Sequence, residues 1–141
     1  QAITRIGAQK ENRRIRDDSY DLLRDLNLEK LAHHPAAGLP FGTLKRLEIA
    51  RALAAAPRFL LLDEPAAGLT HSEVDELGDT IVAIRDKFKL TVLLVEHHMS
   101  MVMKISDQVV AMEFGRKIAE GTPSQVQSDA NVIRAYLGGE V

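Results

Sequence analysis

The 141-residue chain has no cysteine, so it can form neither a disulfide nor a thiolate metal site, and a reducing compartment is compatible with it. It has no excess of either charge. Eighteen Lys and Arg stand against twenty Asp and Glu, a net charge of −2 that makes no electrostatic case for nucleic acid or an anionic membrane. No apolar run approaches the roughly 20 residues that a membrane-spanning helix needs, so any membrane association is expected to run through a partner. No signal peptide stands at the start. No Gly-Lys dipeptide occurs anywhere, and with it goes any phosphate cradle of the form Gly-x-x-x-x-Gly-Lys-Ser/Thr. The chain opens on Gln1 and its first methionine is Met99, so it reads as the C-terminal part of a longer protein. Internal repeats, low-complexity tracts and long flexible linkers are also absent. A hydrophobic content of 45% supports one modest globular core of cytosolic type.

What is present is concentrated at Phe59-Leu60-Leu61-Leu62-Asp63-Glu64, an apolar run that ends abruptly in two carboxylates. Four large apolar residues in a row leave no polar face, which predicts a strand buried on both sides in a parallel sheet. Ligands of open α/β sheets gather outside the carboxyl ends of the strands, where Asp63 and Glu64 would emerge. The plain alternative is a buried strand followed by a solvated acidic turn. Thr91-Val92-Leu93-Leu94-Val95 is a second strand of the same kind, ending in Glu96-His97-His98. Strand alternation there would turn His97 and His98 to opposite sides, which disfavours a shared metal.

Between these strands, Thr70-His71-Ser72-Glu73 reads as a capping box. The helix it opens carries Val74, Leu77, Ile81, Ile84 and Phe88 as a core stripe. Upstream, Arg13, Arg14, Arg16 and Arg24 are interleaved with Asp17, Asp18, Asp21 and Asp25. Interleaved signs describe a solvated helix face, with Ile15, Leu22, Leu23 and Leu26 as the stripe beneath it. His33-His34-Pro35 forms a linker without a third metal ligand nearby. A further helix start is expected near Thr43, after the Pro40/Gly42 loop, where unpaired N–H groups and the positive dipole end would favour an anion. Downstream, Met99 to Ile105 suggests a short apolar helix for core packing. Asp107–Glu113 and Lys117–Glu120 suggest a hairpin turning at Gly115 and completing the sheet edge. Thr122-Pro123-Ser124-Gln125 opens another helix, with Pro123 at its first position and Gln125 completing a second capping box, and a last one, Val132–Leu137, would end at Gly138.

Four of these segments, in this order, resemble the ATP-binding subunit of ABC transporters. Leu39-Pro40-Phe41-Gly42-Thr43 with Lys45–Leu53 resembles the signature loop and helix, and Phe59–Glu64 the Walker B strand. Gly68-Leu69-Thr70 resembles the D-loop, and Val95-Glu96-His97 the switch-histidine strand end. Leu39–Gly42, Ala66–Leu69, Glu96–Met99 and the tail from Ile118 to Gly138 are most similar to the branched-chain amino acid uptake ATPases. The resemblance implies an α/β fold, a P-loop NTPase (RecA-like) core with an ABC helical subdomain, here a C-terminal fragment lacking Walker A and the Q-loop. Residues 1–56 would be the helical subdomain with the signature segment, and residues 57–141 the second half of the catalytic core.

The same resemblance implies the chemistry. Asp63 would hold Mg²⁺ through water, Glu64 would orient and deprotonate the attacking water, and His97 would contact the phosphate. Leu39, Phe41, Gly42 and Thr43, with Gly68, Leu69 and Thr70 of the D-loop, would reach the ATP bound by an opposite subunit. The chain departs from the usual Leu-Ser-Gly-Gly-Gln pattern at Pro40, Phe41 and Thr43, and Thr70 stands where the family usually has Asp. Implied partners are a second ATP-binding subunit, transmembrane permeases and, indirectly, a solute-binding protein, at the cytoplasmic face of the membrane and without nucleic acid. Without the phosphate cradle, this chain alone is expected to bind ATP poorly and turn over negligibly. Three other readings remain: an ABC ATPase for another cargo such as lipopolysaccharide export, a non-transport ATPase of DNA repair or translation, and a degenerate regulatory or structural subunit.

Overall fold

The computed structural model describes residues 2–137, with side chains from residue 8 to residue 136. The dense charges of the N-terminal third lie on a 24-residue helix, α1 (Ala2–Asp25). Near its C-terminal end Leu22 and Leu23 pack on the core, whereas Ile15, expected in the same stripe, is exposed. Leu26 is fully buried, but just past the helix end, where Asn27 turns the chain through a positive φ of 56°. A 3-10 turn (Glu29–Leu31) then leads to α2 (Phe41–Leu53). This helix starts at Phe41, two residues before the expected start near Thr43, with Pro40 as its cap. Proline cannot continue an α-helix backwards, so Pro40 marks the entry.

Two five-residue strands, β1 (Phe59–Asp63) and β2 (Thr91–Val95), pair in parallel with Leu61 opposite Leu93 and Asp63 opposite Val95. The crossover between them is α3 (His71–Phe88), whose Val74, Leu77, Ile81 and Ile84 are buried. Thr70 caps α3 through a complete capping box, and Lys89 ends it in the left-handed region. The stripe and the N-terminal cap therefore follow the sequence pattern. The strands do not. Leu60 is buried and Leu62, Val92 and Leu94 pack on the core, but Phe59, Leu61, Leu93 and Val95 are about half exposed or more, with Leu61 at 65%. The expectation of burial on both sides is thus corrected: strand alternation puts these two sets on opposite faces, and the described residues cover one.

Beyond β2, α4 (Met99–Ile105) joins two cores. Met101 is buried in the main cluster, while Val102 and Met103 pack against a smaller one of Val109, Ala111, Val126 and Val132. The smaller cluster lies under a hairpin, β3 (Val109–Glu113) and β4 (Arg116–Gly121). The hairpin forms its own antiparallel sheet, not an edge on β1–β2 as the sequence suggested. It turns through Phe114 and Gly115, both at positive φ. α5 (Pro123–Gln127) opens with the second capping box, formed by Thr122 and Gln125 as expected. A short α6 (Ala130–Val132) runs into a π-helical turn, Ile133–Leu137. The expected stop at Gly138 lies outside the described residues.

Candidate functional site

The parallel strands β1 and β2 end side by side, so their following residues meet at one edge of the sheet. Past Asp63 the pairing goes one step further, as the Glu64 N–H donates to the Val95 carbonyl at 2.8 Å. Glu64 adopts this position with φ +44°, a left-handed conformation that costs a side-chain-bearing residue about 1–2 kcal/mol. Such strain clusters at functional sites. Here its result is that the Glu64 side chain remains half exposed, with Oε1 at 3.6 Å from His97 Nδ1. Asp63 is exposed beside them and makes no ion pair among the described residues. Asp63, Glu64 and His97 are therefore gathered at one strand edge.

His98 does not turn away from His97. β2 stops at Val95, strand alternation stops with it, and the two imidazoles stack with centroids 4.7 Å apart. The expectation of opposite orientations fails because the chain there is already entering α4.

A residue that sequence reasoning passed over sits at the centre of this edge. The Glu96 side chain is fully buried, at 0% exposure. Its Oε1 accepts the Ala66 N–H at 2.7 Å, and its Oε2 accepts the N–H groups of His97 at 3.0 Å and His98 at 3.4 Å. Glu96 directly follows Val95 and lies on the covered side, where a carboxylate requires donors.

The segments Leu39–Thr43 and Gly68–Thr70 also come together. A Cβ on Gly68, where φ is +79°, would lie 3.1 Å from Phe41 Cε1. One on Gly42 would lie 3.0 Å from Glu73 Oε1 and 3.6 Å from Leu69 Cδ2. Both glycines thus permit close approach of α2 to the loop before α3. The N–H groups of Phe41, Gly42 and Thr43, in the first turn of α2, have no acceptor four residues back inside the helix. The Phe41 ring is exposed and carries Lys45 Nζ 5.2 Å from its centroid. Thr43 differs: it is buried and lines an apolar cavity of about 120 Å³ with Leu23, Leu39 and Leu47. Thr70 is also engaged, since its hydroxyl donates to Glu73 Oε2 at 2.8 Å and accepts the Glu73 N–H. The Thr70 N–H bond to Glu73, followed by the Thr70 hydroxyl and then Arg46, holds the Glu73 carboxyl below the usual carboxylate range.

Known proteins resemble this chain in sequence and fold. An ABC transporter family model matches residues 3–67, and a model described as branched-chain amino acid ATP-binding cassette transporter matches residues 116–141. The high-affinity branched-chain amino acid transport ATP-binding protein BraF of Pseudomonas aeruginosa is 47% identical over 116 residues, 82% of this chain and 46% of that protein. LivG of Escherichia coli, of the same description, is 43% identical over 122 residues, 86% of this chain and 48% of that protein. The lipopolysaccharide export system ATP-binding protein LptB of Haemophilus influenzae is 34% identical over 137 residues, 97% of this chain and 56% of that protein. Among solved structures, the ADP conformation of an ATP-binding cassette of an ABC transporter superposes with a TM-score of 0.80 at 29% identity, covering 89% of this chain and 50% of that one. The chain spans about half the length of the curated relatives it matches. Ordered motifs, fold and relatives agree that this chain belongs to the ATP-binding domains of ABC transporters, with the P-loop NTPase fold, and is most similar to those for branched-chain amino acids.

Proposed function

We propose that the parent protein is the ATP-hydrolysing subunit of a branched-chain amino acid importer, and that the edge formed by Asp63, Glu64 and His97 is its catalytic centre. The observation that carries this reading is the placement of Glu64 3.6 Å from His97 at the carboxyl ends of two parallel strands, with Asp63 adjacent and free of ion pairs among the described residues. Glu64 takes the proton of the attacking water as general base, a contribution of about 10²–10⁴-fold in rate. His97 donates to a phosphate oxygen and fixes the position of the water. An exposed carboxylate is a hard oxygen donor that suits Mg²⁺, so Asp63 is the residue that would hold the ion. Bound there, Mg²⁺ neutralises charge on the phosphates.

Residues 1–56 act as the helical subdomain, and residues 57–141 as the second half of the catalytic core. The start of α2 and the adjoining loop, Leu39, Phe41, Gly42 and Thr43 with Gly68, Leu69 and Thr70, serve the nucleotide of a second ATP-binding subunit. Their close association within one chain supports joint action on that partner. Thr43 serves through its backbone N–H, given that the residue is buried. The assembly works at the cytoplasmic face of the membrane through permease subunits, fed by a solute-binding protein. None of the described helices is long and apolar enough to cross a bilayer, in keeping with attachment through partners. By itself, this chain has no phosphate cradle and hydrolyses ATP negligibly.

Lipopolysaccharide export is the second reading, favoured by the LptB relative that aligns with 97% of this chain. The match of residues 116–141 to the branched-chain amino acid model weighs against it. The test of catalysis is ATP hydrolysis by the parent protein with and without Glu64→Gln. Turnover that collapses while ATP binding persists supports the reading; equal turnover in both proteins overturns it. Co-purified permeases distinguish the cargoes.

A further inference from the structure

Past the end of β1, the first two N–H donors of the chain reach across to the end of β2. The Glu64 N–H reaches the Val95 carbonyl, Pro65 has no N–H, and the Ala66 N–H reaches Glu96 Oε1. A side-chain carboxylate therefore extends the backbone ladder by one rung, across the turn that carries Glu64. The other oxygen of the same carboxylate accepts the N–H groups of His97 and His98 and lies 3.9 Å from His97 Nδ1. One buried group thus touches both segments that bear the acid–base pair. Charge-assisted bonds of this type are roughly twice as strong as neutral ones, and burial without solvent keeps them fixed.

We propose that Glu96 is a positioning residue that locks the Glu64 turn to the His97 segment and so sets the distance between the two catalytic side chains. The inference rests on the assignment of Glu64 and His97 made above. Glu64 is held at φ +44° in a turn that its own sequence does not favour, so an external restraint is required. Glu96 is the side chain that supplies it, bonding the backbone two residues later. Both of its oxygens are engaged as acceptors. In a glutamine, either orientation of the amide sets an N–H₂ donor against a backbone N–H donor.

The experiment is steady-state ATP hydrolysis by the parent protein carrying Glu96→Gln, His97→Ala, both together, and Glu64→Gln as reference. Glu96→Gln is expected to lower kcat by about 10–100-fold, the usual cost of removing an orienting partner, with KM for ATP changed by less than about 3-fold. Residues that act as a unit give non-additive losses, so in the His97→Ala background the same change should cost less than about 3-fold. A merely structural carboxylate would not produce that split. An unchanged kcat in Glu96→Gln, or losses that multiply in full in the double variant, overturns the inference. If Glu96→Gln does not fold, Glu96→Asp replaces it, keeping both oxygens on a stem one methylene shorter. A reduced kcat at constant KM is again expected, and wild-type kcat overturns the inference. Glu64→Gln separates the two levels: full turnover in that variant removes the catalytic assignment itself, whereas inactivity there with wild-type kcat in Glu96→Gln removes only the clamp.

Discussion

Gly68→Ala should destabilise the parent protein by two separable costs, one of them carried by Phe41. The first is conformational. Gly68 has φ +79°, and the left-handed region costs a residue with a Cβ about 1–2 kcal/mol. The second is steric. The new Cβ would lie 3.1 Å from Phe41 Cε1, inside the roughly 3.5–4.0 Å optimum for carbon pairs. Overpacking costs about 1–3 kcal/mol, and the half-exposed Phe41 ring can yield, which places this case near 1 kcal/mol. The sum is about 2–3 kcal/mol, a Tm loss of roughly 5–10 °C for a protein of this class. The assay is thermal unfolding of wild type, Gly68→Ala, Phe41→Ala and the double variant. In the Phe41→Ala background the ring is gone, so Gly68→Ala should retain only the conformational part, with a coupling of about 1 kcal/mol between the sites. Equal Tm losses in both backgrounds would refute a contact between the start of α2 and the loop before α3.

The hairpin turn offers a gain. Phe114 occupies a left-handed position at 98% exposure, next to Gly115, where a two-residue turn with both φ positive favours Asn-Gly. Phe114→Asn should raise stability by about 1 kcal/mol, measured by urea unfolding, and a loss would show that the ring has a packing role. At the start of α3, Thr70→Ala should cost about 1 kcal/mol through the lost cap, read as a shift in urea midpoint. Glu73 supplies a pH signature at the same cap. Its folded pKa lies below the ordinary glutamate value, so its contribution is present above that value and is lost as pH falls through the folded pKa. Thr70→Ala removes the hydroxyl donor but leaves the backbone N–H, so the Glu73 carboxyl should titrate closer to the ordinary value, yet still below it, in an NMR titration. No movement would mean that the hydroxyl bond contributes nothing.

Much of the architecture was legible because it rests on local rules. Both capping boxes formed as read, since Thr70–Glu73 and Thr122–Gln125 satisfy orphan donors within a single turn. The α3 stripe was buried as read because helical periodicity leaves one face for the core. The failures share a different origin. Ile15 has the right spacing for a stripe, but it lies on a part of α1 that meets no core, and spacing cannot say where a helix leaves the body of the protein. Phe59, Leu61, Leu93 and Val95 are apolar enough for a central strand, yet their exposure depends on what covers the second face. The hairpin was found, but not its separation from β1–β2, because strand content does not specify sheet membership.

The candidate site divides in the same way. By itself the sequence determined the residue types and their order: carboxylates after one apolar strand, a histidine after the next, and glycines where chain segments must approach closely. It determined these because strand ends, caps and turns are decided by neighbours a few residues apart. Only the tertiary structure decided that Glu64 approaches His97 across thirty-three positions, that Phe41 rests against Gly68, that Thr43 turns inward, and that Glu96 is a buried clamp. Those facts come from long-range pairing of β1 with β2 and packing of α2 on the loop before α3. A carboxylate in the sequence has the same chemistry everywhere; its surroundings, with three backbone donors and no exposure to solvent, decide whether it attacks, binds or holds other residues in place.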